Sequence, residues 1–171
     1  MKSVFDLQIW PLILVIILFS NGAFAMGLSD AGKVCLFSGM SGVIKIDGKP
    51  VAGARLVRSV KKENKARDEV VTDDNGYFEL KPIFERSLTK YLPMEFVVSQ
   101  QIDVYYKGAK YEMWSGVKRE PDENTESRGE SLIVECELAS EERLKIVNGS
   151  AIFSLCKWDA DPDPKEENVF F

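Results

Sequence analysis

The stretch Gly42-Val43-Ile44-Lys45-Ile46-Asp47-Gly48-Lys49-Pro50-Val51-Ala52-Gly53-Ala54-Arg55-Leu56-Val57 decides the fold. Ile44 and Ile46 alternate with Val43, Lys45 and Asp47, a period of two that predicts a strand with one buried face. Asp47-Gly48 is a turn pair, because glycine accepts positive φ without a Cβ clash. Pro50 has no N–H to give to a ladder and is expected at a strand edge. Gly53 marks a bulge or close backbone approach. Ala54, Leu56 and Arg58 follow on one face, with Arg55 and Val57 on the other. Further on, Val70-Val71-Thr72 is a β-branched run. Asp73-Asp74-Asn75-Gly76 then turns the chain, with side-chain oxygens placed to accept local N–H groups. Tyr77-Phe78-Glu79-Leu80 leaves as a new strand.

These two pieces resemble the carboxypeptidase regulatory-like domain, a transthyretin-like (prealbumin-like) β-sandwich. The resemblance covers about 40 residues and rests on the turn motifs. The later segments resemble those of a group of bacterial exported proteins built on this core. It implies an all-β, antiparallel sandwich of about seven to nine strands, transthyretin-like or immunoglobulin-like. It implies no activity, since such domains serve as accessory or binding modules.

Residues 1–25 read as a signal peptide, with Lys2 as a short positive region, an apolar run over 9–19 and Ala23-Phe24-Ala25 as a small-x-small cleavage pattern. The apolar run is shorter than the roughly 20 residues that span a bilayer. An uncleaved anchor is the alternative, and Asp6 and Pro11 are atypical of a signal. Gly32-Lys33-Val34 before Cys35 is not a lipoprotein pattern. The expected organisation is a signal peptide over 1–25, a sandwich over 26–158 and an acidic tail over 159–171. The location that follows is periplasmic or secreted, with no stable membrane span after cleavage.

Export permits disulfides. Cys136 lies on the apolar face of its strand with Leu132, Val134 and Leu138, and Cys156 lies in the next apolar segment. The favoured bridge is Cys136–Cys156, with Cys35 a buried thiol; pairing through Cys35 stays open, because connectivity is not deducible from sequence.

Strands are expected at 33–38, 42–47, 54–60, 69–72, 77–81, 94–106, 109–114, 131–138 and 151–158. Phe96, Val98, Ile102, Val104 and Tyr106 share one parity, interrupted by Gln100. Residues 82–93 are a connection, with a helical turn possible at 84–91. Residues 115–131 are polar and charged and read as a long, solvated loop.

The chain has no histidine, which excludes Ser-His-Asp and Cys-His catalysis and histidine-ligated zinc. The cysteines lack CxxC spacing, and no phosphate loop appears. A net charge of −5 disfavours nucleic acid. Glu120, Asp122, Glu123 and Glu126 suggest paired-carboxylate chemistry only if a shaped cleft surrounds them; solvation is expected instead. Asp73–Gly76 lacks the spacing and distal glutamate of a calcium loop, and Asp159, Asp161 and Asp163 read as tail. No catalytic residue, metal or cofactor is expected.

The best binding group is Tyr105, Tyr111, Met113, Trp114 and Lys118, with Tyr106 beside them, since interface cores are rich in such residues. The expected function is a non-enzymatic exported module that binds a partner, a protein, in the cell envelope. Alternatives are a periplasmic immunity protein against a delivered toxin and a carbohydrate-binding module.

Overall fold

The computed structural model describes residues 32–87 and 95–164. The expected signal peptide and cleavage site, residues 88–94 of the connection and residues 165–171 of the tail lie outside the described residues.

The alternation around Ile44 forms β2 (Met40–Ile46), and Asp47-Gly48 turns it into the short edge strand β3 (Lys49–Pro50). The run after Gly53 forms β4 (Arg55–Lys61), which pairs with β5 (Lys65–Val71). Asp73 Oδ1 accepts the N–H groups of Asn75 and Tyr77 at 2.8 Å each, as turn chemistry demands, and releases the chain into β6 (Tyr77–Leu80). Gly76 has φ 73°, and a Cβ there would sit 2.6 Å from the Ile44 carbonyl oxygen. β6 pairs with β2.

β8 (Val98–Tyr106) and β9 (Ala109–Lys118) form the longest hairpin. β9 continues four residues beyond its expected end, so the loop is 119–131, holding a short 3-10 turn at Thr125–Ser127. β10 (Leu132–Glu137) runs parallel to β2, which makes that sheet mixed. An unexpected strand, β11 (Arg143–Val147), pairs with β12 (Ser150–Ser154). Segment 151–158 is not one strand. The chain leaves the ladder at Leu155, and β13 (Cys156–Trp158) joins the other sheet beside β10. Residues 83–86 are strand and not a helical turn: β7 (Ile83–Arg86) pairs with β1 (Lys33–Phe37), because β1 offers it an antiparallel edge.

The result is an all-β sandwich. One sheet carries the order β11-β12-β9-β8-β4-β5, the other β13-β10-β2 with β3 and β6, and β1-β7 forms a two-stranded ribbon. Alternate residues of both large sheets make one core, including Ile44, Leu56, Phe78, Ile102, Val104 and Trp114. The thirteen strands among the described residues outnumber the about seven to nine of a simple sandwich, because sheet switching and bulges divide long segments into short ones. Cys136 and Cys156 face each other in the β10–β13 register and are bridged, and Cys35 is a free, buried thiol. Among the described residues no helix is long and apolar enough to cross a membrane.

Candidate binding site: an anchored loop, an open sheet face and three hairpin tips

Gln100 breaks the apolar parity of β8 and nonetheless points inward, 1% exposed. Lys118 shares that inner face through its register with Val98 and is fully buried. Both meet Glu126, which the loop 119–131 turns back into the core. Glu126 Oε2 accepts from Lys118 Nζ at 2.8 Å and from Ser38 Oγ at 2.5 Å, and Oε1 accepts from Gln100 Nε2 at 2.8 Å. Lys118 also donates to Thr125 Oγ1 at 2.5 Å. Trp158 Nε1 donates to the Glu126 carbonyl at 2.9 Å. Burial alone would raise the Glu126 pKa. The Lys118 ammonium and three side-chain hydrogen bonds override it and hold the carboxyl below its ordinary range.

The expectation that Glu126 is solvated with Glu120, Asp122 and Glu123 is therefore wrong for Glu126, which is 1% exposed. A one-residue choice within a hydrophilic loop is invisible to composition. The only sign in the sequence was Gln100, a polar side chain on the otherwise apolar inner face of β8; Lys118 fell within the segment 115–131 that reads as loop, and only the extension of β9 to Lys118 places it on that face.

The loop is held elsewhere as well. Pro121 O accepts from Cys35 N at 2.7 Å, and Asn124 N donates to Ser38 Oγ at 2.7 Å. Arg128 ties the loop to Asp163 and Asn148. Its neighbour Cys35 has a thiol pushed up to about 11, chiefly by burial, so it stays protonated and unreactive at neutral pH.

The sequence-predicted binding residues are divided by the register. A bulge after Ile102 opposes Ile102 to Trp114 and Asp103 to Glu112, which sets both Met113 and Trp114 into the core at 0% exposure. Trp114 packs against Phe37 and Trp158, with ring centroids 6.1 and 5.0 Å away. Met113, Trp114 and Lys118 therefore offer nothing to a partner in this conformation. Tyr111 is half-buried on the inner side beside Tyr106, and both pack against the core. Tyr105 is on the outer face, stacked under Arg55 at 4.6 Å.

The open surface lies elsewhere on the same sheet. Leu144 and Ile146 of β11 and Phe153 of β12 stand side by side on its outer face, 53%, 43% and 43% exposed. Composition did not single them out, because β11 itself was not foreseen. On the smaller sheet, an open cleft of 340 Å³ is lined by Ser41, Tyr77, Glu79, Lys81, Glu123 and Asn124.

Three two-residue hairpin tips share one backbone shape. Asp47-Gly48 has φ 52° and 74°, Lys107-Gly108 has 48° and 81°, and Asn148-Gly149 has 49° and 68°. The first presents both N–H groups to Glu137, at 2.9 Å each. The third presents both to Asp163, at 3.0 and 2.7 Å.

Fold and site together define a disulfide-bridged all-β sandwich domain whose loop 119–131 is pinned from beneath by a buried ion pair. Residues 40–141 match the model of DUF6795, a domain of unknown function, and since this span exceeds half of the 171 residues the chain belongs to that family. The matched span contains Arg58, Gln100, Lys118, Glu126 and the Lys107-Gly108 tip. It stops before β11, β12 and Cys156. No curated protein matches the chain.

Proposed function

We propose that the protein is a non-enzymatic β-sandwich module of the cell envelope that binds a partner protein through the outer face of its six-stranded sheet. The observation that carries this reading is the row formed by Leu144, Ile146 and Phe153. Adjacent large apolar side chains in water cost free energy that a partner's surface recovers, at about 25 cal/mol per Å² covered. The polar groups best placed for chemistry favour the same reading. Glu126 and Lys118 are closed off and saturated by each other and by Ser38, Gln100 and Thr125. Export is supported by the Cys136–Cys156 bridge together with the apolar N-terminal run. The facing sheets and the Asp73–Gly76 turn fit the resemblance to the carboxypeptidase regulatory-like, transthyretin-like domains.

The test is affinity capture from envelope extract with wild-type protein and with Leu144→Asp/Phe153→Asp. A partner retained by the wild type and lost by the variant, at unchanged melting temperature, is the expected result. The same proteins on both baits would overturn it. The carbohydrate reading has one observation in its favour, the polar cleft with Tyr77 exposed beside Glu79 and Asn124. A glycan array read with Tyr77→Ala as control decides it; signal that survives the substitution rejects the cleft.

A further inference from the structure

We infer that the Lys107-Gly108 hairpin tip is a carboxylate cradle, and that it takes an acidic side chain of the partner protein. The inference rests on the partner-binding reading above and adds a second contact point, at the end of the same sheet.

The argument comes from the molecule's own use of this backbone shape. A two-residue turn with both residues at positive φ directs two successive N–H groups outward, away from the hairpin ladder. In this chain such a pair has a strong preference for a carboxylate. Glu137 spans the Asp47 and Gly48 N–H groups with one oxygen each, and Asp163 spans those of Asn148 and Gly149 in the same way. Two parallel charge-assisted hydrogen bonds fix the orientation of the carboxylate as well as its position. A cation lies near each arrangement. Arg128 Nη2 is 2.7 Å from Asp163 Oδ1, and Lys45, whose ion pair is with Glu135 at 3.1 Å, adds its charge to the field that lowers the Glu137 carboxyl. Both carboxyls are held below their ordinary range, chiefly by the backbone N–H of Gly48 in one and of Gly149 in the other.

The Lys107-Gly108 tip has the same parts. Tyr106 and Ala109 close it in register, as Ile46 and Lys49 close Asp47-Gly48 and Val147 and Ser150 close Asn148-Gly149. Its two residues have closely similar φ angles and are exposed. Among the described residues, no carboxylate accepts from the Lys107 or Gly108 N–H. The cation is also present: the Lys107 ammonium lies 5.0 Å over the Tyr106 ring and makes no ion pair among the described residues. The neighbouring cations differ, since Arg55 is engaged by Glu69 and Lys110 by Asp103. Two hydrogen-bond donors, one positive charge in no ion pair among the described residues and the Tyr105 and Tyr106 rings at the same end of the sheet match an acidic residue flanked by apolar ones. They do not match a basic or neutral segment.

The test follows backbone amides by ¹⁵N NMR in the whole folded protein while an N-acetylated tetraglutamate amide is added, with the tetraglutamine peptide as control. Saturable shifts of the Lys107 and Gly108 amides with glutamate alone are expected. The Asp47, Gly48, Asn148 and Gly149 amides should stay in place. Lys107→Glu, an exposed change that leaves the rest of the spectrum intact, should weaken binding by about tenfold or more. Asp163→Ala should make the Asn148 and Gly149 amides respond to acetate, and those of the wild type, occupied by Asp163, should not. The inference is overturned if the tip amides do not move, if they move equally with tetraglutamine, if Lys107→Glu binds as well as wild type, or if the freed Asn148-Gly149 pair ignores acetate. Partner capture that depends on Leu144 and Phe153 but not on Lys107 would remove this inference and leave the partner-binding reading standing. A positive titration with no captured partner would do the reverse.

Discussion

Arg58 and Lys118 are both cations with no solvent exposure, yet they are buried in different ways. Arg58 sends Nε and Nη2 to Asp68 at 3.0 and 2.5 Å, and Asp68 stays 42% exposed. The guanidinium also lies over Phe37 at 5.1 Å and donates to the Ser38 and Lys81 carbonyls. Its charge is thus shared with a carboxylate that water still reaches. Lys118 and Glu126 are closed off on both sides, at 0% and 1%. Desolvating both members costs several kcal/mol, and their attraction offsets it only when further hydrogen bonds fill the remaining sites. Ser38, Gln100 and Thr125 supply them. The open pair ties two strands that the ladder already joins. The closed pair determines where the loop 119–131 sits, because Glu126 has no other route to its partners.

Breaking the closed pair should therefore have the largest effect. Lys118→Met leaves Glu126 buried with no cation and should cost about 3–5 kcal/mol by urea denaturation. Lys118→Met/Glu126→Leu should recover most of that loss, while the loop loses its fixed position, visible as faster amide exchange over 119–131. Equal losses in single and double variants would show that the pair is not acting as a unit.

The bridge comes next. β13 is held to β10 by Cys136–Cys156, and its Trp158 holds the Glu126 carbonyl. Cys136→Ala/Cys156→Ala should cost about 3 kcal/mol, by the loop-closure entropy of the roughly 20 residues it encloses. Amide exchange should rise in 119–131 and not in β4 or β5. A uniform rise would remove the distinction between the two regions.

Acid gives a finer comparison. The Glu126 carboxyl is held below its ordinary 4.5 in the folded protein, so the unfolded chain binds the proton more readily. Its contribution is full above that value and is lost as pH falls through it toward the folded pKa. Melting temperature should fall below pH 4.5 more steeply in the wild type than in Lys118→Met/Glu126→Leu. Parallel curves would place the acid sensitivity elsewhere. The smallest effect should come from the open pair. Asp68→Asn keeps a hydrogen-bond acceptor for Arg58 beside water and should cost no more than about 1 kcal/mol. A loss as large as that of Lys118→Met would end the contrast between the two cations.

The contrast also explains why some residues were legible and others were not. Gln100 was visible as a polar side chain at an inner-face position of β8, but Lys118 and Glu126 both fell in the segment 115–131, whose composition argues for solvent, because β9 was expected to end at Trp114. Met113 and Trp114 have the residue types of a binding surface; the bulge after Ile102 turns both inward. Leu144 and Ile146 belong to a strand that the charges around them, Glu141 to Lys145, concealed.

The sequence by itself determined the class of fold, the two tight turns at Asp47-Gly48 and Asp73–Gly76 and the placement of Pro50 at an edge, and it favoured Cys136–Cys156 while leaving a pairing through Cys35 open. Each of these follows from local chemistry: glycine at positive φ, a short side chain that accepts neighbouring N–H groups, a ring without a donor, a strand with one apolar face. Only the tertiary structure decided the sheet switch at Leu155, the parallel pairing of β2 with β10, the burial of Glu126 and the exposure of Leu144, Ile146 and Phe153. Those depend on which distant segment lies opposite. A side chain's environment is set by its neighbours across the sheet and across the core, and neither is encoded within the few residues on either side of it.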